Sequence, residues 1–292
     1  MLVLALMLVG VSIVPSAYAV DPSSRQYSDV QVALRKMASD FPQQVKLFSI
    51  GKNDTGEDIE GIQAGNGPVH TLVVATHHGN EYGSTEVGLA FAQSVSEIPI
   101  KGQTVYVIPV LNVSGYNARV RKELGFDPSR DYPGPCGTEG PFRLRSTKAL
   151  ADFIAQEKIV SSATLHTFSE MVLYPWGFDT RDLKTDYDGL YINLANDGAS
   201  ASGYQVGNST DLLYSAEGAF EDYAMWKHGT WSLLFEMGKS HSPGQAAVAK
   251  LIQENVPGLR RFFEQAPRLV ADRHAFTGKC NVVKSKRRRT DE

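Results

Sequence analysis

Cysteine is nearly missing: Cys136 and Cys280 are the only two in 292 residues. That excludes a disulfide-built scaffold. With no histidine within four positions of either, it also excludes a structural zinc site built on thiolates. The two either pair or stand as small unpaired residues, because separation along a chain does not give distance in space. An excess of one charge is missing as well. Lys and Arg number 29 against 32 Asp and Glu, so the body is not made to neutralise phosphates and nucleic acid is not an expected partner. The one local imbalance is the end, where Lys284, Lys286, Arg287, Arg288 and Arg289 face only Asp291 and Glu292. This basic stretch, residues 284–292, reads as a solvated, disordered tail that could also touch anionic lipid or cell-wall polymer. Repeats, low-complexity segments and Pro/Gly/Ser linkers are lacking too, which leaves residues 20–283 as one domain. A composition of 42% hydrophobic and 21% charged residues excludes a disordered or coiled-coil chain.

Long apolar runs are absent beyond the first residues. Leu2 to Val14 is apolar apart from Gly10 and Ser12, which is short for a bilayer span. Ala17-Tyr18-Ala19 follows it with the small-x-small pattern of a signal-peptidase site. No basic residue precedes the run, where export signals normally carry one. The expectation is a signal peptide over residues 1–19, cleavage after Ala19, and an exported, periplasmic or secreted, protein with no stable membrane insertion afterwards.

What is present is an alternation of strand-like and helix-like patterns. Tyr27 to Met37 spaces Val30, Leu34 and Met37 as one helix face, and Ser84 to Val95, Thr147 to Ala155 and Gln245 to Phe263 are further helices. Val45 to Ile50, Ile59 to Gln63, Thr71 to Thr76, Thr104 to Val110, Val160 to Leu165, Met171 to Trp176 and Trp231 to Phe235 read as strands. A Gly- and Pro-rich loop runs from Asn112 to Phe142. Wholly apolar strands interleaved with helices predict an α/β fold with a largely parallel sheet covered on both faces.

In such sheets ligands gather at the carboxyl ends of the strands. There Thr71–Thr76 runs into His77-His78-Gly79-Asn80-Glu81, Val160–Leu165 into His166, and Trp231–Phe235 into Glu236. Two imidazoles and a carboxylate (His78, Glu81, His166) are an open zinc set with one position left for water. His77, one step nearer its strand, should face away and hold a supporting hydrogen bond. Glu236 would be an uncoordinated carboxylate suited to take a proton from that water and pass it to a leaving amine. His70, His228, His241 and His274 lack a strand-end position and are expected in surface or core roles.

His78-x-x-Glu81, His166 followed by Tyr174-Pro175, and Phe235-Glu236 together resemble the zinc metallocarboxypeptidases related to carboxypeptidases A and B, over about residues 27–266. The resemblance implies a single domain with a mixed eight-stranded sheet, one Zn2+ per chain and removal of C-terminal residues from peptides. It leaves no room before residue 27 for a large amino-terminal pro-domain. By that resemblance Arg121 steadies the oxyanion of the tetrahedral intermediate. Asp127-Pro128-Ser129-Arg130-Asp131 is similar to the segment whose Asn-Arg pair grips the terminal carboxylate, with Ser129 here in place of the asparagine. Tyr214 falls where the family has a mobile tyrosine, with Tyr223 a nearby competitor. Glu221 falls at the position that is acidic in members preferring Lys or Arg, which implies a basic or amine-bearing C-terminal residue, diaminopimelate in cell-wall peptides included. Two other readings stay open: a zinc amidohydrolase acting on murein peptides or N-acyl amino acids, and a peptide-binding relative without catalysis.

Overall fold

A computed structural model gives the fold. It describes residues 21–137, 141–178, 184–272 and 280; the expected signal peptide, the basic tail and His274 lie outside these. Helix α1, Tyr27–Asp40, buries Val30, Leu34 and Met37 as its spacing predicts, and its entry is fixed by the Gln26 amide donating to Asp29 Oδ2 at 2.9 Å. The chain then forms β1, Val45–Lys52, β2, Asp58–Ala64, β3, Val69–Ala75, α2, Tyr82–Glu97, and β4, Gln103–Ile108. The Gly- and Pro-rich loop is less irregular than expected, holding α3, Val113–Ala118, and a 3-10 turn, Pro128–Arg130. Beyond it come α4, Arg145–Gln156, β5, Ser161–His166, and β6, Met171–Tyr174. The remaining elements are α5, Asp188–Gly198, β7, Gln205–Asn208, α6, Ser209–Leu212, α7, Phe220–His228, β8, Trp231–Glu236, and α8, Gln245–Gln265.

The strands make one eight-stranded sheet in the order β1-β2-β4-β3-β5-β8-β6-β7. The middle of it, β4-β3-β5-β8, is parallel throughout. β1 and β2 run antiparallel at one side, while β6 runs antiparallel to β8 and parallel to β7 at the other. Every residue of β4 and β5 is buried, so neither strand alternates between a core face and a solvent face; of the hydroxyls that β5 buries, Ser162 bonds to Ser232 and Thr164 to the Leu233 carbonyl on β8. Helices α1, α2, α8 and α5 touch in that order along the sheet, and α4 and α7 form a second layer. The α5–α8 contact is close enough that a Cβ on Gly258 would stand 1.9 Å from the Gly198 carbonyl oxygen. Among the described residues no helix is long and apolar enough to cross a membrane. Cys136 and Cys280 form a disulfide that spans 144 positions, which decides between the two readings left open for them.

Candidate active site

The parallel centre of the sheet places the chemistry at one edge. β3 gives way to Thr76, whose φ of +59° is a left-handed turn costly for a β-branched residue. Its hydroxyl holds that turn, lying 2.6 Å from Thr85 Oγ1 and donating to the Pro109 carbonyl at 3.1 Å. The turn sends His77 and His78 out of the strand. Gly79 follows because a Cβ there would lie 2.0 Å from the Gly115 carbonyl carbon of α3. Glu81 then caps α2. β5 delivers His166, and β8 delivers Glu236 as its direct register partner, so these two side chains share a sheet face.

His78, Glu81 and His166 converge, each offering one ligand atom, with all three atoms within 4.8 Å of one another. His78 Nδ1 lies 2.7 Å from Glu81 Oε1, His166 Nδ1 2.9 Å from Glu81 Oε2, and the two Nδ1 atoms 3.2 Å apart. All three residues are buried. Glu81 is further held by the Thr167 amide at 3.1 Å. Burial alone would raise its carboxyl, but the two imidazoles outweigh that and hold it far below the usual range. On the far side of the His78 ring, Nε2 lies 3.1 Å from Asp127 Oδ1. That partner fixes the ring with Nε2 protonated and Nδ1 available to a metal, as metal-binding histidines are commonly held. Burial lowers the proton affinity of His78, and Glu81 and Asp127 more than restore it. Two imidazole nitrogens and one carboxylate, with a carboxylate behind one ring, fit zinc with an open position.

Asp127 is the residue whose role sequence reasoning missed. Besides His78, it accepts from Arg121 Nε at 3.0 Å and caps the 3-10 turn by accepting the Ser129 amide at 3.0 Å. One carboxylate thus ties together a ligand, Arg121 and the turn bearing Ser129 and Arg130. Arg121 also comes within 3.8 Å of Glu81 Oε1. Ser129 is buried and its hydroxyl has no hydrogen-bond partner among the described residues.

Beside the ligands lies a pocket lined by His78, His166, Ser129, Arg130, Tyr214, Glu221 and Glu236. Arg130 donates to the Ser129 carbonyl at 2.7 Å and to the Tyr214 hydroxyl at 3.3 Å. Tyr214 is exposed, whereas its competitor Tyr223 is buried, packs on Tyr132 and bonds His228. Glu221 is buried on α7, with one oxygen 3.5 Å from Thr164 Oγ1, and burial pushes its carboxyl up. Asp222, beside it, is also raised by burial and accepts the Gly177 amide through both oxygens, at 3.0 and 2.9 Å. Burial pushes the Glu236 carboxyl up to about 8, His166 opposing and Glu81 reinforcing the rise.

His77 stays out of the ligand triangle. Its Nε2 lies 3.1 Å from the Tyr132 hydroxyl and its ring stacks on His166 at 5.5 Å, so it supports a ligand through packing. His70 sits at the surface against Glu157. His241 is half-exposed but comes within 3.7 Å of Glu81 Oε1, with Nδ1 2.7 Å from the Thr167 carbonyl. It lies at the rim of the site, a placement that no strand-end signal announced.

The family model described as zinc carboxypeptidase matches residues 30–258. The chain belongs to that family. A zinc carboxypeptidase of Saccharothrix mutabilis subsp. capreolus is 23% identical over 328 aligned residues, covering 90% of this chain and 74% of the relative. A carboxypeptidase B of Astacus astacus is 24% identical, covering 71% of this chain and 83% of its own. Among solved structures, thrombin-activatable fibrinolysis inhibitor superposes with a TM-score of 0.77 at 17% identity, over 87% of this chain and 77% of that one. The murein-tripeptide amidase of Escherichia coli O157 gives a TM-score of 0.57 at 15% identity, over 80% and 97%. The family is one of peptide hydrolases, and His78, Glu81 and His166 form a group that could hold a metal ion.

Proposed function

We propose that this protein is an exported zinc-dependent exopeptidase that removes the C-terminal residue of peptides. The observation that carries the reading is a three-donor set, His78, Glu81 and His166, bordering a pocket that also holds the Glu236 carboxylate and Arg130. His78, Glu81 and His166 would hold one Zn2+. Zinc, when bound, supplies a Lewis acid and brings the pKa of water to about 7.

The chain's own groups do the rest. Glu236, on the strand beside His166, takes the proton from the attacking water and hands it to the departing amine. Arg121, oriented by Asp127, donates to the oxygen that becomes negative; losing such a donor typically costs about 3–4 kcal/mol of transition-state stabilisation. Arg130 grips the terminal carboxylate with its forked donors, and the unpartnered Ser129 hydroxyl adds a shorter contact than the family's asparagine would. Tyr214, exposed and stacked by Arg130, closes over the bound residue. Glu221, buried in the same pocket, favours a Lys, Arg or other amine-bearing side chain, whose cation offsets the burial that keeps the carboxyl protonated.

Ser129 also favours a second reading, an amidase acting on murein peptides or N-acyl amino acids, since it weakens the grip on an ordinary terminal carboxylate. Against a binding-only relative stands the joint presence of Glu236, Arg121 and Arg130 with the ligand set. The disulfide supports export, because such bonds persist outside reducing compartments. The test is release of C-terminal Lys, Phe and Glu from otherwise identical peptides, with and without a chelator. Chelator-sensitive release of Lys is expected. Preference for Phe or Glu removes the role of Glu221, and cleavage confined to murein peptides selects the amidase.

A further inference from the structure

Across Arg130 from the metal-side pocket lies a second hollow of about 250 Å3, walled by Phe126, Asp127, Arg130, Asp131, Arg143 and Glu217. Its acids are already engaged, Glu217 among them. Asp127 takes His78, Arg121 and the Ser129 amide. Asp131 takes the amides of Arg143 and Leu144 and the Thr147 hydroxyl, at 2.9, 3.0 and 2.5 Å. The guanidiniums are not so engaged. Arg143 is exposed and has no carboxylate partner among the described residues; its Cζ lies 5.2 Å from the centre of the Phe126 ring. Stacking on a ring holds a guanidinium plane in place and leaves the donors along its edge open. Among the described residues Arg130 bonds only neutral oxygens, the Ser129 carbonyl and the Tyr214 hydroxyl.

Two cations without a carboxylate partner among the described residues thus face one concavity, and the group that matches an arginine fork bidentately is a carboxylate. With Arg130 given to the terminal carboxylate, Arg143 is left for another. We propose that Arg143, laid on Phe126, forms a subsite for a second carboxylate of the substrate, so that favoured peptides carry an acidic side chain close to the scissile bond. This rests on the exopeptidase reading above and names the substrate class within it.

The test uses peptides ending in Lys with Glu or Gln at each of the three preceding positions. At one position Glu should lower KM about three- to five-fold relative to Gln, the reach of a partly exposed ion pair, and added salt should shrink the ratio. Arg143→Met, which keeps an apolar stem over Phe126, should bring that ratio to one, and Arg143→Lys should keep part of it. Equal KM for Glu and Gln at every position, or a ratio that survives Arg143→Met, overturns the subsite. If no peptide is cleaved, the exopeptidase reading fails. The Glu-to-Gln affinity ratio, read by calorimetry on the native-sequence protein and on Arg143→Met, then still decides the subsite.

Discussion

At the scale of single residues the account divides ligands from actors. Glu236→Gln keeps the shape of the pocket and removes the proposed base. It should lower kcat by several orders of magnitude while zinc content stays at one per chain; unchanged turnover would take Glu236 out of the mechanism. Asp127→Asn should behave differently, because Asp127 acts through His78 and Arg121. Loss of such a partner typically weakens metal affinity by about 10–100-fold, measurable by chelator competition, and an unaltered zinc affinity would reduce Asp127 to a loop cap. The convergence of His78, Glu81 and His166 beside Glu236 was legible in the sequence because β3, β5 and β8 each run into one of these segments, so a one-dimensional pattern reports a shared edge. Asp127 was legible only as part of a motif. Nothing in the sequence shows that its two oxygens would serve a histidine, an arginine and a turn amide at once, since those partners lie on separate segments. His241 was not legible at all, as it follows β8 in a loop and reaches Glu81 only through the fold.

At the scale of elements, the turn between Arg121 and Asp127 has a measurable signature. Glu123 and Phe126 pair through both backbone bonds at 2.9 Å, with Leu124 and Gly125 in the left-handed region. Glu123 is buried beneath the turn, bonded by Ser146 Oγ at 2.5 Å. Burial pushes its carboxyl from 4.5 to about 7, the Ser146 bond opposing and nearby acids adding. The folded state therefore keeps a proton that the unfolded chain has lost between those values. The contribution is favourable at low pH and is lost as pH rises through the window, up to about 3 kcal/mol in all. Glu123→Gln should accordingly show a smaller fall in Tm from pH 5 to pH 8 than the native chain; parallel pH profiles would contradict the assignment. Elements with clear periodicity, such as α1, α8 and the central strands, were legible from the sequence. α7 was not, because a helix that buries Phe220, Glu221, Asp222, Tyr223, Ala224 and Met225 together has no apolar stripe to show. β7 is a four-residue edge strand beginning at an exposed Gln205, too short for alternation to register.

At the scale of the whole molecule, the fold brings residues from β3, α2, β5 and β8 to one edge and ties the loop that completes the site to the far end of the chain. Cys136, just past Arg130, is held to Cys280 over 144 positions. A cross-link of that span restricts the unfolded chain by up to about 5 kcal/mol. Reduction, or serine at both positions, should lower the denaturation midpoint. It should also raise KM more than it lowers kcat, since Ser129 and Arg130 sit on the released strap while His78, Glu81 and His166 are held by β3, α2 and β5. A midpoint insensitive to reductant would show that the bond holds nothing that folding does not already hold. Pairing was not readable from the sequence, because nothing along 144 residues signals that Cys136 and Cys280 meet.

The central claim is that two histidines and a glutamate hold a zinc that, with Glu236, removes residues from peptide C-termini. The most direct measurement is mass spectrometry of a peptide incubated with the purified protein, before metal removal, after it, and after zinc is restored. The account predicts stepwise loss of C-terminal residues that stops on removal and returns with zinc. Internal cleavage, or C-terminal release that continues in metal-free protein, would contradict it.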